Sequence, residues 1–311
     1  MRTAPSRSTP VPPLGPSREA TPWRVWLLAA RPATLPAAAA PVLVGGAAAI
    51  HDGSFRPVVF AATLVTALLL QVGANLANDV SDYERGADRA GRLGPPRVTQ
   101  SGLVSPVQVK LAALSVFGAA AGLGLYLSWV GGWPLLLVGA LALAAAVAYT
   151  GGPWPYGYHG LGDAFVFIFF GVVAVTGTYY LQTDRVAGIA FAASVPVAMT
   201  VTAILVVNNL RDIPTDRAAG KRTLAVIMGA PLTRAWYALL TLGPYGAVPA
   251  GVASGALPRW CLLALATAPL ALALVRAVAS GAEGAALNAV LRRTAQLHLA
   301  LGVALSVGLA L

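Results

Sequence analysis

Charge is what this chain lacks most. Of its 311 residues only 10% are Asp, Glu, Lys or Arg, whereas 57% are hydrophobic. Soluble domains carry about 25% charged residues, so this sequence cannot cover a globular surface with water-compatible groups. Soluble enzymes, disordered chains and nucleic-acid-binding modules are poor fits. A single cysteine, Cys261, excludes an intramolecular disulfide and any multi-cysteine metal centre. Lysine is nearly missing, with Lys110 and Lys221 alone. Acids are scarce too, 11 against 21 bases, which leaves a net charge of +10. In a soluble protein that excess would point to nucleic acid; in a membrane protein it records topology, and no nucleic-acid partner is expected.

What is present is long apolar sequence. The first 24 residues, rich in Pro and Ser with four Arg, lack the apolar core of a signal peptide and cannot bury enough surface to fold. They read as a disordered cytosolic tail, with one transmembrane domain over 25–311. Nine apolar stretches follow, near 33–50, 57–79, 107–128, 134–150, 161–182, 187–209, 235–253, 258–277 and 294–311. Each approaches the roughly 20 residues a helix needs to cross a bilayer. Pro196 and Pro244 interrupt two of them, so eight crossings is the alternative count. A cytosolic N-terminus puts 18 of the 21 basic residues inside and only Arg56, Arg185 and Arg259 outside, as the positive-inside rule requires. The expected location is a bacterial-type cytoplasmic membrane. Gly118 and Gly122 form a GxxxG inside the third stretch, a pattern for close helix packing.

The scarce acids are concentrated. Asp79, Asp82, Glu84 and Asp88 follow the second stretch, and Asp212 and Asp216 follow the sixth. Asn78 and Asp82 are four apart, so on a helix they share a face, with Asn75 one turn earlier. Asp212 and Asp216 repeat that spacing, but Pro214 stands between them. A proline removes a backbone donor and restricts the residue before it, so the second cluster is expected where a helix breaks. Two groups of carboxylates on one membrane face repel unless a cation lies between them. Hard oxygen donors suit Mg²⁺, which is usually shared between one or two carboxylates and a substrate's phosphates. Neighbouring Arg and Lys would meet the remaining phosphate charge. The deduced ligand is a diphosphate, and in a membrane an isoprenyl diphosphate. The competing reading is two solvated loops with i,i+4 ion pairs, which their shared spacing and the Asn residues inside the spans disfavour.

At these residues the sequence closely resembles the UbiA superfamily of intramembrane prenyltransferases. Asn78-Asp79-x-x-Asp82 with Asp88 resembles the family's first Asp-rich motif, and Asp212-x-x-x-Asp216 the second. The strings NLANDVSDYERGAD, YTGGPWPYGYHGLGDAFVFIFFG and NNLRDIPTDRAAGKRTLAV are similar to the branch that prenylates 1,4-dihydroxy-2-naphthoate in menaquinone synthesis. So are Arg31-Pro-Ala-Thr-Leu-Pro36 and the segment from Gly94 to Gly102. The similarity runs from about residue 31 to 229.

The resemblance implies an all-α polytopic fold with nine transmembrane helices around a central cavity. It also implies that a polyprenyl diphosphate ionises with Mg²⁺ assistance and the acceptor ring captures the allylic cation, with loss of CO₂ and diphosphate to give demethylmenaquinone. On that basis Asp82, Asp212, Asp216 and Lys221 are expected to be catalytic. Asn78, Asp82, Asp212 and Asp216 are the expected metal shell. Asn75, Asp79, Asp88, Arg97, Arg217 and Lys221 are expected around the diphosphate. For the acceptor the candidates are Arg31, Tyr149, Tyr156, His159, Asp163 and Arg211. The aromatic residues would shield a cation or stack on the naphthoate, although composition alone reads them as an interfacial belt. Asp163 either orients an acceptor hydroxyl or caps a helix. His298 reads as packing.

Three other readings compete. A related transferase would take 4-hydroxybenzoate or homogentisate. A transporter for an anionic substrate predicts polar groups near mid-membrane in several spans, whereas here they gather at one face. A membrane scaffold predicts no shared spacing between the acidic connections.

Overall fold

A computed structural model describes residues 22–86, 94 and 96–311. Among the described residues the long elements are all helices: α1 (Pro22–Ala30), α2 (Pro36–His51), α3 (Pro57–Glu84), α4 (Pro106–Gly131), α5 (Trp133–Ala148), α6 (Gly162–Thr183), α7 (Gly188–Ala218), α8 (Leu224–Ala253), α9 (Arg259–Ala279) and α10 (Ala286–Ala310). α1 starts at Pro22, inside the stretch expected to be tail; residues 1–21 lie outside the described residues.

All nine apolar stretches fall on helix. Among the described residues, six helices are long and apolar enough to cross a membrane: α3, α4, α6, α7, α8 and α9. The bent pair Trp23–Thr34 and Pro36–His51, at 53°, makes a seventh if it is one span. α5 has only 16 residues, and α10 carries Arg292 and Arg293 near its start. Length and composition therefore establish fewer crossings than nine.

Helix ends follow local chemistry. Ser105 and Gln108 form a reciprocal capping box at the start of α4, satisfying backbone donors that have no intrahelical partner. Thr223 caps α8 by accepting from the Val226 N–H. α8 is broken at Gly229, whose φ of 75° suits glycine. A π-helical segment, Phe167–Val173, interrupts α6. Large apolar side chains such as Trp129, Trp133 and Leu114 stand exposed on the perimeter, where a bilayer imposes no hydration penalty.

Two sequence expectations need correction. α7 continues through Pro214 to Ala218 without a break. The proline lies in the last turns of a 31-residue helix whose preceding turns, including Leu210 and Ile213, are packed in a buried cluster with Ala225 and Leu287. Tertiary packing outweighs the lost donor, as it commonly does in membrane helices. Gly118 and Gly122 mark no close contact among the described residues, since a Cβ on either would meet nothing within 4 Å. The close approaches lie elsewhere: a Cβ on Gly171 would come 2.1 Å from that of Ala198, joining α6 to α7.

Candidate active site

The last turns of α3 supply the first cluster, and its members have different surroundings. Asp79 is 1% exposed and accepts the backbone N–H of Val98 at 3.2 Å and of Thr99 at 3.1 Å, with the Arg31 guanidinium 3.6 Å away. It thereby anchors the loop that carries Arg97. From that loop Arg97 donates to an Asp82 oxygen at 2.7 Å and to the Asn78 carbonyl at 2.6 Å. The other Asp82 oxygen accepts the Tyr158 hydroxyl at 2.8 Å. Asn78 Oδ1 accepts from Thr150 at 2.7 Å. Asn75 turns away, donating to the Ala30 carbonyl and to Thr34 at 2.9 and 2.8 Å. It holds the elbow between α1 and α2, where Arg31 adopts a left-handed φ of 52°, an uncommon conformation for a non-glycine residue.

The second cluster splits. Arg211 is buried and donates to both oxygens of Asp212, at 2.8 and 2.6 Å, to Asn208 at 2.8 Å and to Asn288 of α10 at 2.8 Å. Asp212 thus faces its own neighbour rather than the first cluster. Asp216 lies one turn on, with Lys221 Nζ 3.9 Å from its carboxylate. Gly220, at φ +71°, ends α7 in the left-handed cap that glycine adopts without penalty. That turn brings Lys221 back onto the site.

Tyr158 joins the two clusters. Its hydroxyl holds Asp82, its ring lies 5.1 Å from Lys221 Nζ and 5.8 Å from the Arg85 guanidinium, and its carbonyl accepts the Arg222 N–H at 3.1 Å. Burial, then the neighbouring Asp82, pushes the Tyr158 phenol above its ordinary value, so the hydroxyl stays a donor at any physiological pH. Tyr149 lies in the field of Asp216, Asp82 and Asp163 together. From it an aromatic series runs onto α6: Tyr149 edge-on to Tyr156 at 5.5 Å, Tyr156 stacked on Phe165 at 4.0 Å, and Phe165 on Phe169 at 5.9 Å. Asp163, beside this series, accepts the Trp236 indole N–H at 3.0 Å.

The structure therefore brings together Asn78, Asp82, Arg97, Asp216, Lys221 and Tyr149, with Tyr156 and Asp163 adjoining. Arg31, Asn75 and Asp79 support them from behind. Arg211 and Asp212 pair with each other, Arg217 is exposed, and His159 stacks on Trp154 at 4.5 Å with Nδ1 3.0 Å from the Pro155 carbonyl. Asp88 lies outside the described residues. Sequence reasoning did not single out Tyr158, Thr150, Arg85 or Trp236. The first two stand in the quoted aromatic string, but nothing in their spacing shows which carboxylate or amide they reach.

Among the described residues, no three His, Cys, Asp or Glu side chains are grouped to hold a metal ion by themselves. The carboxylates of Asp82 and Asp216, linked through Tyr158 and Lys221, and the Asn78 amide one turn before Asp82 are donors of the kind that fit a hard cation taking its remaining oxygens from a phosphate ligand and water.

The model of the UbiA prenyltransferase family matches residues 38–299. The chain is a member of that family. Among the relatives of this prenyltransferase-family chain, a 1,4-dihydroxy-2-naphthoate octaprenyltransferase from Mycobacterium tuberculosis is 44% identical over 287 residues, 90% of this chain and 95% of that one. The enzyme of the same name from Escherichia coli is 37% identical, over 87% and 90% of the two chains. The apo structure of a UbiA homologue from Aeropyrum pernix superimposes with a TM-score of 0.66 at 17% identity, covering 88% of this chain and 96% of that one. A homologue from Archaeoglobus fulgidus bound to GPP and Mg²⁺ superimposes with a TM-score of 0.63 at 14% identity, over 91% and 99%. The all-helical UbiA fold expected from the sequence is thus present.

Proposed function

We propose that this chain transfers a polyprenyl group from polyprenyl diphosphate to 1,4-dihydroxy-2-naphthoate, releasing CO₂ and diphosphate and giving demethylmenaquinone. The observation that carries this reading is the meeting of the two Asp motifs across Tyr158, in a chain 44% identical to an enzyme named for that acceptor. Asp82 and Asp216, with Asn78, would hold Mg²⁺, which when bound neutralises charge on the departing diphosphate. Arg97 and Lys221 supply charge-assisted donors to its oxygens, preorganised by Asp79 and Tyr158. Asp212 contributes by holding Arg211. The series Tyr149, Tyr156 and Phe165 offers ring faces to an allylic cation or a flat acceptor. Asp163, fixed by Trp236, offers a carboxylate oxygen to an acceptor hydroxyl. Arg31 and Arg211, expected as anchors for the acceptor's carboxylate, are engaged with Asp79 and Asp212.

Nine crossings around a central cavity, in a cytoplasmic membrane with the site on the cytosolic side, complete the reading. Every apolar stretch lies on helix, and the three basic residues expected outside fall away from the site, where Arg56 pairs with Asp184 and Arg185 with Asp52. The decisive experiment supplies purified protein with dihydroxynaphthoate, a polyprenyl diphosphate and Mg²⁺, and reads the lipid product by mass. A product of demethylmenaquinone mass is expected. Conversion of 4-hydroxybenzoate instead would overturn the acceptor assignment.

A further inference from the structure

The connection from α5 to α6 carries Tyr149, Thr150, Tyr156 and Tyr158, yet residues 150–160 include four glycines and two prolines. Glycine gives up more conformational freedom on ordering than any other residue, so such a stretch keeps its shape only where other elements hold it. α3 does so. Asn78, Asp82 and the C-cap residue Arg85 stand at i, i+4 and i+7, on one face of that helix. Asn78 Oδ1 accepts the Thr150 hydroxyl at 2.7 Å, and Asp82 accepts the Tyr158 hydroxyl at 2.8 Å. Arg85 donates through Nε to the Thr150 carbonyl at 3.0 Å and through a terminal nitrogen to the Gly152 carbonyl. Its guanidinium also lies 5.8 Å from the centre of the Tyr158 ring.

These contacts close a ring. From Asn78 it passes through Thr150, Arg85 and Tyr158 to Asp82, and one turn of α3 returns it to Asn78. The two side chains read above as cation donors are therefore each oriented by a hydroxyl of the same connection, and Arg85 holds that connection beside both hydroxyls. Thr150 is buried, so water does not compete for its hydroxyl. Arg85 is exposed and works from the outside of the ring. A guanidinium fork serves two carbonyls and a ring face at once, which the point charge of an ammonium does not.

We propose that Arg85 and Thr150 are positioning residues for the transfer reaction: Arg85 clamps the connection onto α3, and the Thr150 and Tyr158 hydroxyls then fix the rotamers of Asn78 and Asp82 before a cation arrives. The inference rests on the reading of those two side chains as cation donors. In this role neither Arg85 nor Thr150 touches the cation or the diphosphate. Partners one step behind a metal ligand commonly carry about 10–100-fold in metal affinity, because a ligand already held in one rotamer loses little freedom when the ion binds.

Metal binding without turnover tests it. The intact protein is saturated with farnesyl thiodiphosphate, an unreactive analogue, and titrated with Mn²⁺ in place of Mg²⁺, the bound ion being read from the loss of the free-ion EPR signal. Arg85→Gln and Thr150→Val should each weaken Mn²⁺ binding by about tenfold or more. Thr150→Ser, which keeps the hydroxyl, should restore it, and Arg85→Lys, which keeps only the charge, should not. The double variant should lose less than the product of the two single effects, since both act through one connection. Arg85 is exposed, so Arg85→Gln should melt close to wild type and keeps the test independent of folding. Wild-type Mn²⁺ affinity in both single variants, full recovery with Arg85→Lys, or strictly multiplicative losses would overturn the proposal. So would a loss of metal-free analogue binding in Arg85→Gln, which would make Arg85 a direct diphosphate contact. No Mn²⁺ uptake by wild type would overturn the cation reading of Asn78 and Asp82, and the proposal with it.

Discussion

The two Asp motifs share a spacing of four and differ in what neutralises them. At the end of α3, Asp82 draws its cation from Arg97, fifteen positions on in the sequence and delivered by a loop that Asp79 anchors. At the end of α7, Asp212 is paired with the adjacent Arg211 inside the protein, while Asp216 stays beside Lys221. Equal spacing thus yields one motif oriented by its tertiary surroundings and one divided between a carboxylate paired with its buried neighbour and a carboxylate beside Lys221. A buried pair such as Arg211–Asp212 is costly to break because the remaining charge has no water.

The largest effect should come from breaking that pair. Asp212→Ala leaves Arg211 buried with only amide partners and should destabilise the protein by about 3–5 kcal/mol, read as a loss of thermal stability in detergent. Replacing both members, by Arg211→Met with Asp212→Leu, should recover most of it. Next, Asp82→Asn and Asp216→Asn should each lower turnover by about 10²–10³-fold, with thermal stability falling less than in Asp212→Ala. A stability loss at Asp82 as large as at Asp212 would erase the distinction between the motifs. The smallest effect is expected for Tyr158→Phe, which removes one hydrogen bond to a carboxylate. It should cost about 1.5–3 kcal/mol, divided between stability and an increase in the Mg²⁺ concentration needed for half-maximal activity. Unchanged Mg²⁺ dependence would show that Tyr158 does not set Asp82.

Legibility in the sequence followed the range of the interaction. Six of the 11 carboxylates lie in two connections, and that concentration was visible because acids are otherwise so rare. The apolar stretches were visible because a bilayer demands them. Pro214 misled, since a local rule about prolines says nothing of the packing that holds α7 together on the preceding turns. GxxxG misled similarly: Gly118 and Gly122 permit close approach, but among the described residues a Cβ on either would meet nothing within 4 Å. Arg31 and Arg211 looked like available cations, and each turned out to be committed to a carboxylate.

The sequence by itself determined the class, the helices and the positions of the acids, because each rests on composition or on contacts within one or two helical turns. It also carried the family, through long strings in register. Only the tertiary structure decided which acids face one another, that Tyr158 joins them, and that Asp79 works through a loop. Those features depend on side chains tens to hundreds of positions apart, and a linear pattern holds no record of which of many polar groups will meet across a core.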